Sequence, residues 1–232
     1  MSGPADASAV FAESLAFAGL DPELADGLNA LTREAKLAAG ETLFMSGDPG
    51  DAMFAVLEGS LKVAIVSAEG SEQLLAIVGA GQVVGEMALL DGQPRSATVD
   101  ALKPSTLARL DKRDFERFAT ENPAVYQHML ALISRRLRTA NDVLAARSFL
   151  PLPGRVAVAL LQLSETFGKP LPNDRTLVHY KISQSDLAAM AGAARENVSR
   201  ILNGWKREGL ISRLSGYYCI EDKGALERLK AM

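Results

Sequence analysis

The chain has 232 residues, 48% hydrophobic and 23% charged, the proportions of one large or two modest globular domains rather than of a disordered or fibrous chain. A single cysteine, Cys219, excludes an internal disulfide framework and any iron–sulfur or structural zinc site built from several thiolates of one chain. The net charge of −3 hides an asymmetry: of 25 Lys+Arg and 28 Asp+Glu, 12 and 8 fall from Leu152 onward, leaving 13 and 20 before it, so the two parts carry +4 and −7. An acidic front and a basic back point to different partners.

The opening twenty residues, MSGPADASAVFAESLAFAGL, lack a basic start and mix acids among the apolar residues, so no secretory signal is expected. With no run of 18 apolar residues anywhere, the expectation is a soluble, cytoplasmic protein without membrane association. Asp21–Leu31 then reads as a short helix with Pro22 in its first turn. Apolar or β-branched runs follow at Thr42–Phe44, Phe54–Leu57, Leu61–Val66, Leu74–Val78, Val83–Val84, Ala97–Ala101 and Thr106–Leu110. Between them lie turn-type residues at Gly47-Asp48-Pro49-Gly50, Glu58-Gly59, Glu69-Gly70, Gly79-Ala80-Gly81 and Asp91-Gly92. This spacing predicts a small antiparallel barrel or sandwich.

A short helix over Asp111–Ala119 leads to a long one from about Pro123 to Phe149. Along it Leu130, Ile133, Leu137, Ala140, Leu144 and Arg147 recur at alternating three and four residues, the spacing of a coiled-coil seam. A parallel homodimer through this helix is the reading preferred; the competing one packs the helix on its own barrel. Phe149-Leu150-Pro151-Leu152-Pro153-Gly154 is expected to form a hinge. Beyond it come an amphipathic helix over Arg155–Thr166 (Val156, Leu160, Leu161, Leu163), a strand-like Thr176–Ile182, and two helices joined at Gly192-Ala193. A hairpin of Leu210–Arg213 and Tyr217–Ile220 about Ser215-Gly216 and a short terminal helix close the chain. This order predicts a winged helix-turn-helix.

Two segments carry chemistry. In Gly85-Glu86-Met87-Ala88-Leu89-Leu90-Asp91-Gly92-Gln93-Pro94-Arg95-Ser96-Ala97-Thr98-Val99, the backbone N–H groups at a helix start (Gly85 to Ala88) suit a phosphate. Arg95 adds a planar fork and Ser96 a hydroxyl, while the carboxylate of Glu86 repels phosphate but suits a ribose 2′-hydroxyl. Read so, the segment is a pocket for a cyclic or sugar-linked phosphate; the competing reading is an Arg95–Glu86 ion pair closing a loop. In the second segment, Ser183 with Asp186 resembles a capping box, and Leu187, Met190, Ala191, Val198, Ile201 and Leu202 face inward. Arg195, Glu196, Asn197, Ser199 and Arg200 are left on an outward polar face suited to the major groove. Ser183, Gln184, Lys206 and Arg213 are candidates for contacts to the DNA backbone.

The segment Gly40–Leu110 resembles a cyclic-nucleotide-binding domain in three stretches: Gly47-Asp48-Pro49-Gly50-Asp51-Ala52-Met53-Phe54, Glu58-Gly59-Ser60-Leu61-Lys62-Val63, and the Gly85–Val99 segment. With the long helix and the winged helix, the chain resembles the CRP/FNR family of bacterial transcription regulators, and its CRP members more than its FNR members. The resemblance implies an α+β chain: a β-roll or jelly-roll cyclic-nucleotide-binding domain over 1–122, a dimerisation helix and hinge over 123–150, and a winged helix-turn-helix over 151–232. It implies that Gly85, Glu86, Arg95 and Ser96, with the adjoining Met87 and Ala88, hold phosphate and ribose, and that Arg136 approaches from the long helix. The family's cAMP readers carry Thr then Ser on that helix to contact adenine, where this chain has Ala140 and Asn141. Ala140 offers no hydrogen bond and Asn141 offers both kinds, so cAMP and cGMP both stay open as the allosteric ligand.

The family reads its half-site with an arginine, an adjacent glutamate and a later arginine, which match Arg195, Glu196 and Arg200. Arginine pairs with guanine and glutamate with the amino group of cytosine, in TGTGA-like half-sites repeated by two-fold symmetry. The family's capping serine is replaced by Ala194. The implied partners are double-stranded DNA, a second copy of the chain and, for an activator, RNA polymerase. No metal is implied. Some relatives bind haem, but His128 and His179 are single histidines without a second ligand. No Ser-His-Asp, Cys-His or paired-carboxylate arrangement suggests an enzyme. Other readings left open are a regulator active without ligand, a haem or gas sensor, and a nucleotide-binding interaction module that does not bind DNA.

Overall fold

The computed structural model describes residues 19–66 and 72–230; most of the opening segment read for a secretory signal and the Glu69-Gly70 turn lie outside the described residues. The chain divides after Leu137 into two compact units.

In the first unit, helix α1 (Pro22–Ala30) is capped by the Asp21 carboxylate, which accepts from the Glu23 N–H. Strands β1 (Arg33–Leu37), β2 (Thr42–Phe44), β3 (Ala52–Val66), β4 (Glu72–Gly79), β5 (Val83–Val84) and β6 (Thr98–Asp111) form one antiparallel sheet in the order β1-β6-β3-β4. Strand β2 pairs with β6 and β5 with β3. Helix α2 (Glu86–Asp91) lies between β5 and β6, and α3 (Lys112–Glu121) follows β6. The period of two is visible in the core. Ala52, Phe54 and Val56 of β3 join Val84, Val99 and Leu107 in one apolar cluster. Met53 and Ala55 point the other way, into a cluster with Leu28, Leu110 and Phe115.

One expected turn is strand interior. Glu58-Gly59 is a bulge inside β3, so the two runs either side of it are one 15-residue strand. Gly59 has φ +105°, and a β-carbon there would stand 2.1 Å from Ser105 Oγ, so only glycine lets β3 and β6 stay paired. The two runs read at Ala97–Ala101 and Thr106–Leu110 are joined, from Thr98 on, in the single strand β6. Strand β1 lies outside the expected runs: in Arg-Glu-Ala-Lys-Leu only Ala35 and Leu37 alternate with charged residues, and the segment forms as a charged edge paired to β6.

Helix α4 (Ala124–Phe149) begins in the first unit and ends in the second. In the second unit, α5 (Leu152–Phe167) starts earlier than expected, because Pro153 sits in its first turn, where a missing N–H costs nothing. The break after α4 therefore shrinks to Leu150-Pro151. Helix α5 is buried on most of its surface, from Val156 through Leu163, as expected of a central helix. Helices α6 (Gln184–Ala191) and α7 (Arg195–Arg207) follow, and α8 (Lys223–Lys230) ends the described chain. The wing is a four-stranded sheet in the order β7-β8-β10-β9, made of β7 (Gly168–Leu171), β8 (Arg175–Val178), β9 (Ile211–Leu214) and β10 (Tyr217–Ile220). Strand β7 was missed and β8 is shorter than read; the signal was the Asn173-Asp174 pair, both at positive φ in the connecting turn.

Candidate functional site

The Gly85–Val99 segment folds as α2 and the entry into β6, with both of its charged anchors inside the protein. Gly85 caps α2 at φ +82°, and a β-carbon on it would stand 2.5 Å from Arg95 Nη1 and 3.2 Å from the Ala52 carbonyl. Glycine is thus required twice over, by backbone hand and by the arginine lying against it. Arg95 is only 4% exposed. Its Nη1 donates to the Gly85 carbonyl and its Nη2 to the Ala52 carbonyl, both at 2.8 Å, and Nη2 lies 3.8 Å from Asp51 Oδ1. The guanidinium also stacks 4.2 Å from the Phe44 ring centroid. Burial pulls its pKa below the ordinary arginine value, with Asp51 opposing. Two of its five N–H groups are spent on those carbonyls, while Nε is buried with no hydrogen-bond partner.

Glu86 is fully buried at the start of α2. It does not pair with Arg95, as the loop-closing alternative required. Its Oε1 accepts from Arg136 Nη1, and Arg136 Nη2 donates to the Val83 carbonyl. Its other oxygen, Oε2, is buried without a partner. Burying charge is costly unless the geometry rewards it, and here a carboxylate oxygen and a guanidinium N–H are both buried unpaired in the same segment. Since α2 has six residues, its dipole is small, and the cations of the site are Arg95 and Arg136, each with a carboxylate beside it, Asp51 and Glu86. Ala88 is buried, Met87 is exposed, and the exposed Ser96 hydroxyl lies 3.7 Å from Met87 Sδ. The sequence reading gave no role to Asp51 or Phe44, which brace Arg95 from the residue before β3 and from β2.

Helix α4 has two stripes. Val125, Met129 and Leu132 are buried in the helix-side core of the first unit. With Arg136 they follow a three-or-four-residue rhythm, so part of the helix does pack on its own barrel. The expected seam is a different stripe: Leu130, Leu137 and Leu144 are 68%, 61% and 66% exposed. Ile133 is half-buried, and Ala140, Asn141 and Arg147 are exposed. Ala140, Asn141, Leu144 and Arg147 belong to the stretch of α4 in the second unit.

In the second unit, the Ser183 hydroxyl accepts from the Asp186 N–H, the N-cap half of the expected capping box, while the Asp186 carboxylate accepts from the Ser183 hydroxyl rather than from its backbone N–H. Leu187, Ala188 and Ala191 are buried and Met190 half-buried. Helix α7 is anchored by Val198, Leu202 and Trp205, the last not anticipated, with Ile201 half-buried. Arg195, Glu196, Asn197 and Arg200 are exposed together and Ser199 is half-buried. The Arg200 guanidinium is held by Asn197 Oδ1 at 2.5 Å. Ala194 gives α7 no side-chain cap. Gln184 and Lys206 are half-buried. Arg213 is exposed on the wing, hydrogen-bonded to the Gly216 carbonyl and stacked on Tyr218. His179 stacks on Tyr217, 5.0 Å between centroids, and Cys219 is buried in β10, which raises its thiol pKa. Among the described residues, no cluster of three His, Cys, Asp or Glu residues is placed to hold a metal, and no helix is long and apolar enough to cross a membrane.

Two families match the chain, a cyclic nucleotide-binding domain over residues 34–122 and a Crp-like helix-turn-helix domain over 154–229. The cyclic AMP receptor protein of Thermus thermophilus is 33% identical over 213 residues, 92% of this chain and 95% of its own length. A CRP-like cAMP-activated global transcriptional regulator of Mycobacterium tuberculosis is 30% identical over 207 residues, 89% of this chain and 92% of its own length. The solved structure of FixK2 from Bradyrhizobium japonicum has the same fold, with a TM-score of 0.76 at 19% identity over 87% of this chain and 98% of that one.

Proposed function

Because the chain belongs to the CRP/FNR family of DNA-binding transcription regulators, we propose that it is a homodimer gated by a cyclic nucleotide, cAMP in the first instance. The observation that carries the nucleotide reading is the pair of buried, unpartnered atoms Glu86 Oε2 and Arg95 Nε. One is an acceptor suited to a ribose hydroxyl, the other a cationic donor suited to a phosphate oxygen. Arg136 neutralises Glu86 so that a second anion is tolerated nearby, and Ser96, Met87 and Ala88 complete the phosphate and ribose side. At the base, Ala140 contributes no hydrogen bond and Asn141 takes over what recognition there is. The names of the relatives, both cAMP proteins, favour cAMP over cGMP.

In this reading the exposed leucines of α4, with Ile133 and Ala140, form the dimer seam. The two copies of α7 then read a two-fold-related DNA site. Arg195 and Arg200 each take a guanine and Glu196 a cytosine, in TGTGA-like half-sites, with Asn197 and Ser199 beside them and Ser183, Gln184, Lys206 and Arg213 on phosphates. RNA polymerase is a partner if the protein activates.

The test is selection of DNA from a random pool, with no nucleotide, with cAMP and with cGMP, together with calorimetry of both nucleotides. A two-fold-symmetric site enriched with cAMP is expected. Symmetric selection that ignores both nucleotides would remove the gating, and selection of nothing would remove DNA binding. Glu196→Ala should relax preference at one symmetric position by about 1–3 kcal/mol while leaving the rest.

A further inference from the structure

The turn between α6 and α7 satisfies its own N–H groups. Those of Gly192 and Ala193 both bond back to the end of α6. The Gly192 carbonyl, however, accepts from outside the pair, from Arg155 Nη1 on α5 at 3.2 Å. The inner part of that side chain is buried, its Nε having no partner among the described residues. It lines a narrow gap together with Val143, Ala146 and Arg147 of α4 and Met190 and Ala191 of α6. The Arg147 guanidinium also lies near Gly192, 3.7 Å from where a β-carbon would stand. Thus two arginines, from two different helices, meet one turn. Neither Arg147 nor Arg155 has an ion-pair partner among the described residues. An arginine kept for charge would be expected to find a carboxylate; these two are spent on a backbone carbonyl and on the surface above it.

From this geometry we propose that Arg155 and Arg147 are positioning residues for DNA reading: a clamp that fixes the α6–α7 turn, and hence the entry of α7, to the C-terminal end of α4. The proposal rests on reading α7 as the base-reading helix.

The test uses the full-length protein and the variants Arg155→Gln, Arg155→Lys and Arg147→Gln, the lysine variant keeping the charge should the glutamine variant fold poorly. Hydrogen exchange of the free protein is read at the peptide spanning residues 188–196. Exchange there should rise about tenfold in Arg155→Gln, with core peptides of β3 and α5 unchanged; equal exchange overturns the clamp. Binding to the selected DNA should weaken about three- to tenfold, the worth of one hydrogen bond. The slope of log affinity against log salt should stay as in wild type. A slope shallower by about one, with an unchanged turn, would make the arginine a phosphate contact and overturn the proposal. In Arg147→Gln exchange at the same peptide should also rise; equal exchange there overturns the part of Arg147 in the clamp. A wild-type protein that selects no DNA refutes the base-reading role of α7, and the exchange arm still decides the clamp.

Discussion

Replacing Leu130 and Leu137 by aspartate separates folding from association, because both side chains are more than 60% exposed on the single chain. Neither contributes much to the core beneath α4, which is built from Val125, Met129 and Leu132. The cost to the folded protomer is then chiefly helix propensity, roughly 0.5 kcal/mol per site. In a two-fold dimer each position meets its own copy, so two substitutions remove four leucines from the interface. At about 1.5–3 kcal/mol for each leucine buried, that is a loss of about 6–12 kcal/mol, before the repulsion of facing carboxylates is counted. A micromolar dimer is held by about 8 kcal/mol, so the double variant should sediment as a monomer at micromolar concentration. Its helical circular dichroism should be retained. Any fall in melting temperature should resemble that of wild type diluted below its dissociation constant, since association and apparent stability are linked. Ile133 is the poorer target, because it is half-buried and an aspartate there would also disturb the protomer. A dimer persisting in Leu130→Asp/Leu137→Asp would place the interface elsewhere and leave the exposed leucines without an explanation.

Arg95→Ala should weaken cyclic-nucleotide binding by about 2–5 kcal/mol. It should also destabilise the first unit, since the Gly85 and Ala52 carbonyls it satisfies would be stranded at about 1–3 kcal/mol each; calorimetry beside a thermal melt reads both, and full affinity in a folded variant would count against the pocket. Ala140→Thr should sharpen the preference for cAMP over cGMP in competition titrations, and an unchanged ratio would mean that this position does not meet the base. In the wing, the Ser212 hydroxyl bonds the Glu221 carboxylate, with Arg175 alongside, and holds its pKa below the ordinary carboxylate range. A depressed folded-state pKa means stability that is present above the ordinary range and lost as pH falls through the lowered one; Ser212→Ala should flatten that acid-side loss in urea melts at stepped pH.

What could be read from the residues alone was whatever is local. The cassette from Gly85 to Val99 is one stretch of chain, and the outward face of α7 from Arg195 to Arg200 is less than two helical turns, so residue type and spacing reveal them. The Ser183 N-cap of α6 is local too, and the structure has that half of the expected capping box. Strands β1 and β7 escaped because they are polar edges whose stability comes from the partner strand, and Gly59 misled because a bulge and a turn ask for the same residue. Helix α4 hid its second stripe for a related reason. A helix apolar on two faces blurs both periods, and the seam of leucines masked the Val125-Met129-Leu132 contact.

The charges pose a harder problem than the strands. Glu86 and Arg95 lie nine residues apart on one loop, and with no other information the economical guess is that they neutralise each other. Instead each is neutralised from a distance, Glu86 by Arg136 fifty residues on and Arg95 by backbone carbonyls and Asp51. A direct Glu86–Arg95 pair would have spent the donors and acceptors that a sugar phosphate needs. Separate partners leave Oε2 of one and Nε of the other buried and unpaired. A protein selected only for stability has cheaper ways to fill that space with apolar side chains. The cost of the two buried charges is the physical ground for reading the segment as a binding site, and it is one that residue spacing alone does not supply.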